Sequence, residues 1–535
     1  MNGAFRQSMA WLHTWTGLLV GWVLFAMFTT GTATYFRPEI TRWMEPETGM
    51  PASPSVAAAG ALAFLQAKAP DAKSWSITLP DERSSTVNVF WEPQPKAGEE
   101  DKPRRRRRGS DTSAVLDAAT GEVVKPRETR GGEFFYRFHF QMHYMPVIAG
   151  RWVAGFCAMF MLAAIVSGVI THKRIFKDFF TFRPGKAAQR SWLDAHNLTA
   201  VLALPFHAMI TYTGLVTLMA LYMPWGALAN YKTEDAFFEQ LFPQTEAVER
   251  SGVAVGPPPL TLVLDEAART WGGGRSWIVG VSNPGDATST IEVTRHTGDQ
   301  LSNRSGSLTF DARGKLVSSS AKAGPAAVTS GAMYGLHMGR FAKPLLRWLY
   351  FVCALTGCAM VATGLILWTV KRRQQLPDPE KPYFGFRLVE RLNIGTIAGV
   401  PAGMAMMLWA NRLLPVEMAT RSPWEVHAVF VGWGGMILYA CLRPTKKAWV
   451  ETLSAAAALV ALLPVVSAIT TPNRNLLANL LRGDWAMVAF DLTLVTLGAG
   501  LAFCAWKAAR YKPAVKAKRK PPAPAPAAAV TEEAA

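Results

Sequence analysis

Two histidines in this chain open the same pattern. His13 begins HTWTGLLVGWVLFAMFTTG and His196 begins HNLTAVLALPFHAMITYTG, and eighteen positions separate each histidine from a glycine, Gly31 and Gly214. A second pair of segments repeats as well: Trp152, preceded by Arg151, stands sixteen positions before Gly168, and Trp348, preceded by Arg347, stands sixteen before Gly364. A histidine within or at the edge of an apolar helix is costly unless its ring is paired or bound, so a repeated one marks a site. In a helix bundle, two facing imidazoles are suited to hold a haem iron through both axial positions, which is electron-transfer chemistry.

Seven of the nine histidines sort into layers. His13 and His196, with His172 beside them, belong to one end of the apolar spans, and His139, His143 and His337 to the other. His207 falls between, about 16 Å from His196 along a helix that rises 1.5 Å per residue. Equivalent positions predict His13 with His196 across one haem and His337 with His139 or His143 across a second. The frame YRFH against YGLH favours His139, and the distance to the following span favours His143. Standing four apart, both fit one helix face, and the choice stays open. Arg151 and Arg347 are candidates for haem propionates through charge-assisted bonds, with snorkelling at the membrane edge as the plainer role. His427 has no repeat partner, and His296 reads as a solvated strand residue.

The elements that must position these residues are membrane helices. Half of the 535 residues are apolar, and eight runs reach spanning length: 12–36, 152–171, 198–223, 345–370, 394–414, 424–442, 453–471 and 485–506. Lysine and arginine collect after the second, fourth, sixth and eighth runs. With cytoplasmic termini, every such cluster falls inside, so the net charge of +18 is mainly a topology signal and not a nucleic-acid surface. The first run lacks a small-residue cleavage site and is expected to be retained as an anchor. The five cysteines all fall within spans without metal-ligand spacing and read as small packing residues.

Two long connections, between the first and second spans and between the third and fourth, each show a helical pattern followed by short alternating strands. VAAAGALAFLQAKA precedes STVNVFW and AVLDAATGEVV, and LTLVLDEAARTW precedes SWIVGVS, STIEVTR and LTFDARGKLVS. These are expected to be small α+β modules outside the cytoplasm. Arg104 to Arg108 in the first read as a solvated insertion or as a lure for anionic ligands and headgroups. Asp491, a lone acid inside the last span, suits proton handling or a helix–helix hydrogen bond.

HTWTGLLVG, FHFQMHYMPVIAGRW, SWLDAHN, LPFHAMITYTGL and YGLHMGRF together resemble the PepSY-associated transmembrane family over about residues 1–373. The resemblance implies an all-α polytopic membrane protein of about eight helices, internally duplicated, with two small α+β PepSY-like periplasmic domains. From the apolar runs and connections the chain is expected to divide into a helix (1–36), a module (37–135), two helices (136–175 and 192–223), a second module (224–333), a fourth helix (334–373), four further helices (392–507) and a disordered cytoplasmic tail (508–535). The resemblance implies a bacterial inner-membrane location, two b-type haems held among His13, His139, His143, His196 and His337, and reduction of a periplasmic ferric siderophore or other ferric chelate. Some relatives fuse a flavin- and nicotinamide-binding domain at the C-terminus. Here a basic and then Pro/Ala-rich tail follows Trp506, so the expected donor is a membrane quinol or a separate cytoplasmic reductase. The rival expectation is a non-enzymatic sensor, scaffold or transport accessory that binds ligand through its outer modules.

Overall fold

The structure, a computed structural model, describes residues 3–95, 111–172, 188–233, 235–237, 248–320 and 324–511. The five-arginine run, the basic residues at 173–186 and the tail beyond 511 lie outside the described residues.

Apolar runs of this length fold as helices because in hydrocarbon the backbone must satisfy its own N–H and C=O groups. The main helices are α1 (Gly3–Thr34), α2 (Arg37–Met44), α3 (Pro54–Lys68), α4 (Gly131–Gln141), α5 (Val147–Thr171), α6 (Ala188–Leu202), α7 (Leu204–Thr217), α8 (Leu260–Thr270), α9 (Pro325–Met338) and α10 (Pro344–Arg373). A second group follows: α11 (Phe384–Ile397), α12 (Gly399–Leu413), α13 (Arg421–Leu442), α14 (Thr445–Ala461), α15 (Leu463–Thr470) and α16 (Trp485–Arg510). Among the described residues seven helical segments are long and apolar enough to cross a membrane, which makes this a multi-pass membrane protein. The third expected span is broken: α6 and α7 meet at an angle of 67°. Pro205, at the first turn of α7, has no N–H to give a continuous ladder and crowds the preceding turn, so the chain bends at Ala203.

The strands of the two long connections meet in one sheet. Strands β1 (Ser74–Thr78), β2 (Thr86–Glu92) and β3 (Ser113–Asp117) come from the first, and β4 (Ser276–Ser282), β5 (Thr290–Arg295), β6 (Ser307–Asp311) and β7 (Leu316–Ser319) from the second. The order is β3-β2-β1-β4-β5-β6-β7, antiparallel throughout. At the seam between the connections Ile77 lies opposite Val279, and both are fully buried. Alternation does the rest: Val87 and Val89, Ile291 and Val293, and Leu308 and Phe310 turn to the same face. That face is covered by α3 through Ala57, Ala61 and Leu65 and by α8 through Leu260, Val263 and Ala267.

Helix α1 packs against α5 and α10, and α10 packs against α6. Short helices α4 and α9 turn in at the end that carries the sheet. Arg83, just after β1, holds the sheet to this bundle by a two-pronged bond to Glu39 of α2, at 2.7 and 2.6 Å, and by a bond to the Tyr35 carbonyl. The later helices join through a buried polar network around α2. Arg42 pairs with Asp484, the Trp43 indole donates to Asp491 at 3.1 Å, and the Arg412 guanidinium lies 3.8 Å over the Trp43 ring. Asp491 thus makes the helix–helix bond that was one of its two expected roles.

Replacing Ile77 by Ala should cost about 2–5 kcal/mol, since it opens a cavity at the seam. Limited proteolysis should then open strands of both connections together; protection of one set alone would show that the halves fold independently.

Candidate functional site

His13 on α1 and His196 on α6 face each other with ring centroids 6.0 Å apart and planes at 63°. His139 on α4 and His337 on α9 do the same at the sheet end, 6.2 Å apart and at 32°. Two imidazoles bound to one metal through a nitrogen each, at about 2.0 Å, have ring centres roughly 6 Å apart. Both pairs therefore stand at the separation that a shared metal requires.

All four rings are held alike. The Nδ1 of His13 lies 2.8 Å from the Ala164 carbonyl, that of His196 2.9 Å from Met360, that of His139 2.7 Å from Met27 and that of His337 3.0 Å from Ile210. A carbonyl only accepts, so each Nδ1 carries the hydrogen and donates it, and each Nε2 keeps its lone pair for a ligand role. Four residues after each acceptor stands a glycine, in turn Gly168, Gly364, Gly31 and Gly214. A Cβ there would come within 3.1, 3.1, 2.6 and 2.9 Å of the same imidazoles. The glycines that end the sequence repeats are seats for the rings.

Among the described residues no group of three or more His, Cys, Asp or Glu side chains converges to hold a metal ion. A bare ion would be under-ligated at either pair. A metal that brings its own four equatorial ligands, as a haem does, needs only the two imidazoles found here.

Of the two candidates for the partner of His337, the structure brings up His139 and turns His143 away. Helix α4 ends at Gln141, and Met142 and Tyr144 take φ of 55° and 56°, so the helical frame that would align His143 with His139 is broken. His143 stacks on Phe430 at 5.4 Å, beside Tyr144, whose hydroxyl bonds His427. His207 is fully buried between the layers, 3.3 Å from the Cys353 carbonyl and the Thr356 hydroxyl. His172 ends α5 as its C-cap.

Above the outer pair a cavity of about 790 Å³ opens between the helix bundle and the sheet. His139 and His337 line its floor, and Asp81, Arg83, Arg275, Arg295 and His296 line the wall on the sheet side. Arg347 lines it too, but its guanidinium is engaged by Glu39 at 3.6 Å and by the Ala342 carbonyl at 3.0 Å. Arg151 is not part of the lining and lies 5.8 Å over the Phe140 ring. Arg347 is thus held by its own partners, whereas Arg151, whose Nε is buried without a hydrogen-bond partner, stands outside the lining of the cavity. His296, read from sequence as solvated, instead pairs with Asp81 at 3.5 Å and accepts the Gly298 N–H on Nδ1 at 3.0 Å. A lone strand histidine carries no local signal of a partner some 215 residues earlier in the chain.

Burial alone would push the Asp81 carboxyl up, but hydrogen bonds from His296 and the Arg83 backbone, with the charge of Arg83, hold it at about 2 against an ordinary 3.8. The contact therefore stabilises the fold above pH 3.8 and is lost as pH falls through about 2. The stability difference between wild type and Asp81→Asn should shrink as pH falls from 3.8 through about 2; a difference that does not change over that acid range would refute the assignment. For the ring seats, Gly31→Ala should displace His139 and abolish ligand binding at the outer pair, while Gly17→Ala, where a Cβ meets nothing within 4 Å, should leave it intact.

The sequence comparisons agree with this architecture. An uncharacterized Pseudomonas aeruginosa protein, PA4219, is 28% identical over 374 residues, which is 68% of this chain and 91% of that protein. The family model described as the PepSY-associated TM region matches residues 10–371, the span that contains both histidine pairs, the sheet and all but the outer ends of the first ten helices. The chain belongs to the PepSY-associated TM family.

Proposed function

We propose that this chain is a b-haem electron-transfer protein of a bacterial inner membrane, which reduces a ferric siderophore or another ferric chelate on the periplasmic side. The observation that carries the reading is the pairing of four imidazoles at metal-bridging separation, each with Nδ1 tied to a carbonyl and a glycine cleared for its ring. In this reading the two halves are products of a duplication, the strands and helices of the sheet form two PepSY-like domains, and both termini are cytoplasmic.

His13 with His196 would hold one haem and His139 with His337 the other. When bound, each haem supplies a one-electron couple, so the two sites together offer electrons a stepped route between the ends of the bundle. The chain's own part is positional. His13 and the seat of His139 at Gly31 are eighteen residues apart on α1, about 27 Å of helix rise, close to the thickness of a hydrocarbon core. The carbonyl bonds fix ring orientation and raise ligand basicity, the usual task of outer partners at a metal. The inner pair is part-buried among α1, α5, α6 and α10, and the cavity admits solute to the outer one. Iron leaving the ferric state is held less tightly by hard oxygen ligands, which frees it from the chelate. Electrons would enter from a quinol or a separate cytoplasmic reductase.

A sensor or transport accessory would use the same cavity but would leave the imidazole pairs without a role. Haem content separates the readings. Purified protein should show a reduced b-type spectrum. His13→Ala and His196→Ala should each lose about one haem equivalent, and the double variant no more than either, as for residues acting as a unit. His139→Ala should remove the other haem, whereas His143→Ala should keep both. A wild-type protein without haem after expression with ample haem would sink the proposal.

A further inference from the structure

The cavity above the outer histidine pair is lined by seven cationic side chains, Arg37, Arg83, Arg275, Arg295, Arg340, Lys343 and Arg347, against three acids, Asp81, Glu82 and Asp299. Most of the arginines are spoken for. Arg37 pairs with Glu133 at 3.0 Å, Arg83 with Glu39 at 2.6 Å, and Arg275 with Asp299 at 2.7 Å. Arg340 is different. No carboxylate among the described residues lies within ion-pair distance of it, and its polar contact is a long one, 3.5 Å, to the Thr297 hydroxyl.

It nevertheless stands in a half-buried position, where burial and the charge of a second cation, Arg37, depress its guanidinium from the ordinary value and outweigh the opposing charge of the more distant Glu133. Tyr136 and Tyr334 lie close enough to interact with it, and Tyr136 is itself covered by Arg37, 4.9 Å from the ring centroid. Nearby in the same lining, the Arg295 Nε is buried without a hydrogen-bond partner, and the nearest carboxylate to Arg295 is Asp299 at 3.9 Å. Cations that repel one another at the edge of a cavity are stabilised by an anion placed between them. Arg340 follows His337 by three residues, past the left-handed Gly339 that closes α9, and lines the same cavity as the outer pair.

We propose that Arg340, backed by Arg37 and Arg295, is a carboxylate-binding site over the outer histidine pair. Two sources present that chemistry there, the propionates of a haem held by His139 and His337, or an anionic ferric chelate entering the cavity. The propionate source rests on the haem reading above; the chelate source needs only the cavity.

The test compares the full-length protein with its Arg340→Gln and Arg340→Lys variants, using the inner haem as an internal sign of folding. A spectroelectrochemical titration reads the first source. Loss of the cation should make the outer haem harder to reduce, changing its reduced-to-oxidised ratio at fixed potential about tenfold, as for one charge-assisted bond, with substantial recovery in the Lys variant. Oxidation of the reduced protein by anionic ferric citrate and by a neutral ferric hydroxamate reads the second. Here KM for ferric citrate alone should rise about tenfold. No change in either measurement, with both haems present, overturns the proposal. Should wild type hold no haem, ferric citrate titrated onto the protein decides: weaker binding in Arg340→Gln supports the site, and equal binding overturns it.

Discussion

An imidazole enclosed between helices must place two nitrogens, and this fold settles one of them four times over with the same device. A helix carbonyl takes the Nδ1 hydrogen, and a glycine one turn further on gives the ring room. The bond fixes the tautomer and the ring orientation together, which leaves one defined lone pair per histidine. Everything larger follows from keeping those helices at that spacing. α5 must lie against α1 to receive His13, α10 against α6 to receive His196, and α4 and α9 must turn back toward α1 and α7 to deliver His139 and His337.

The pairing of His13 with His196 was legible because equal spacings from a histidine to a glycine put two rings at matching heights in two helices. The glycines were visible as end marks of the pattern, yet their role as ring seats depends on a neighbouring helix, about which spacing is silent. His139 and His143 were inseparable in sequence because four residues is one helical turn. What separates them is the end of α4, set by positive φ at Met142, a residue type with no preference for that conformation. Arg340 stands within YGLHMGRF but outside any repeat, whereas Arg151 and Arg347 precede matching tryptophans, so spacing singles out those two and is silent on Arg340.

The spans were mostly readable from apolar length. The break at Ala203 was signalled by Pro205 within LPFH, a cue overridden by the apolar character of the whole run. The joining of both long connections in one sheet was not readable at all, since antiparallel pairing across some 200 residues leaves no local periodicity. Each connection reads as a complete module on its own, and each is only a part of the seven strands.

That shared sheet has a bearing on how the molecule is made. β1 is complete at Thr78, and its neighbour β4 begins only at Ser276. Through the synthesis of everything between, including α5 and the bent α6 and α7, the inner edge of β1 stands with its backbone groups unpaired and Ile77 unmatched. An open strand edge of this kind invites pairing with another nascent chain. Ser74 and Ser76 interrupt the apolar character of that edge, while α3 can already cover one face through Ala57, Ala61 and Leu65. The pairing of β1 with β4 closes that edge, so the same contact that removes the hazard also joins the sheet that walls the cavity over the outer histidines.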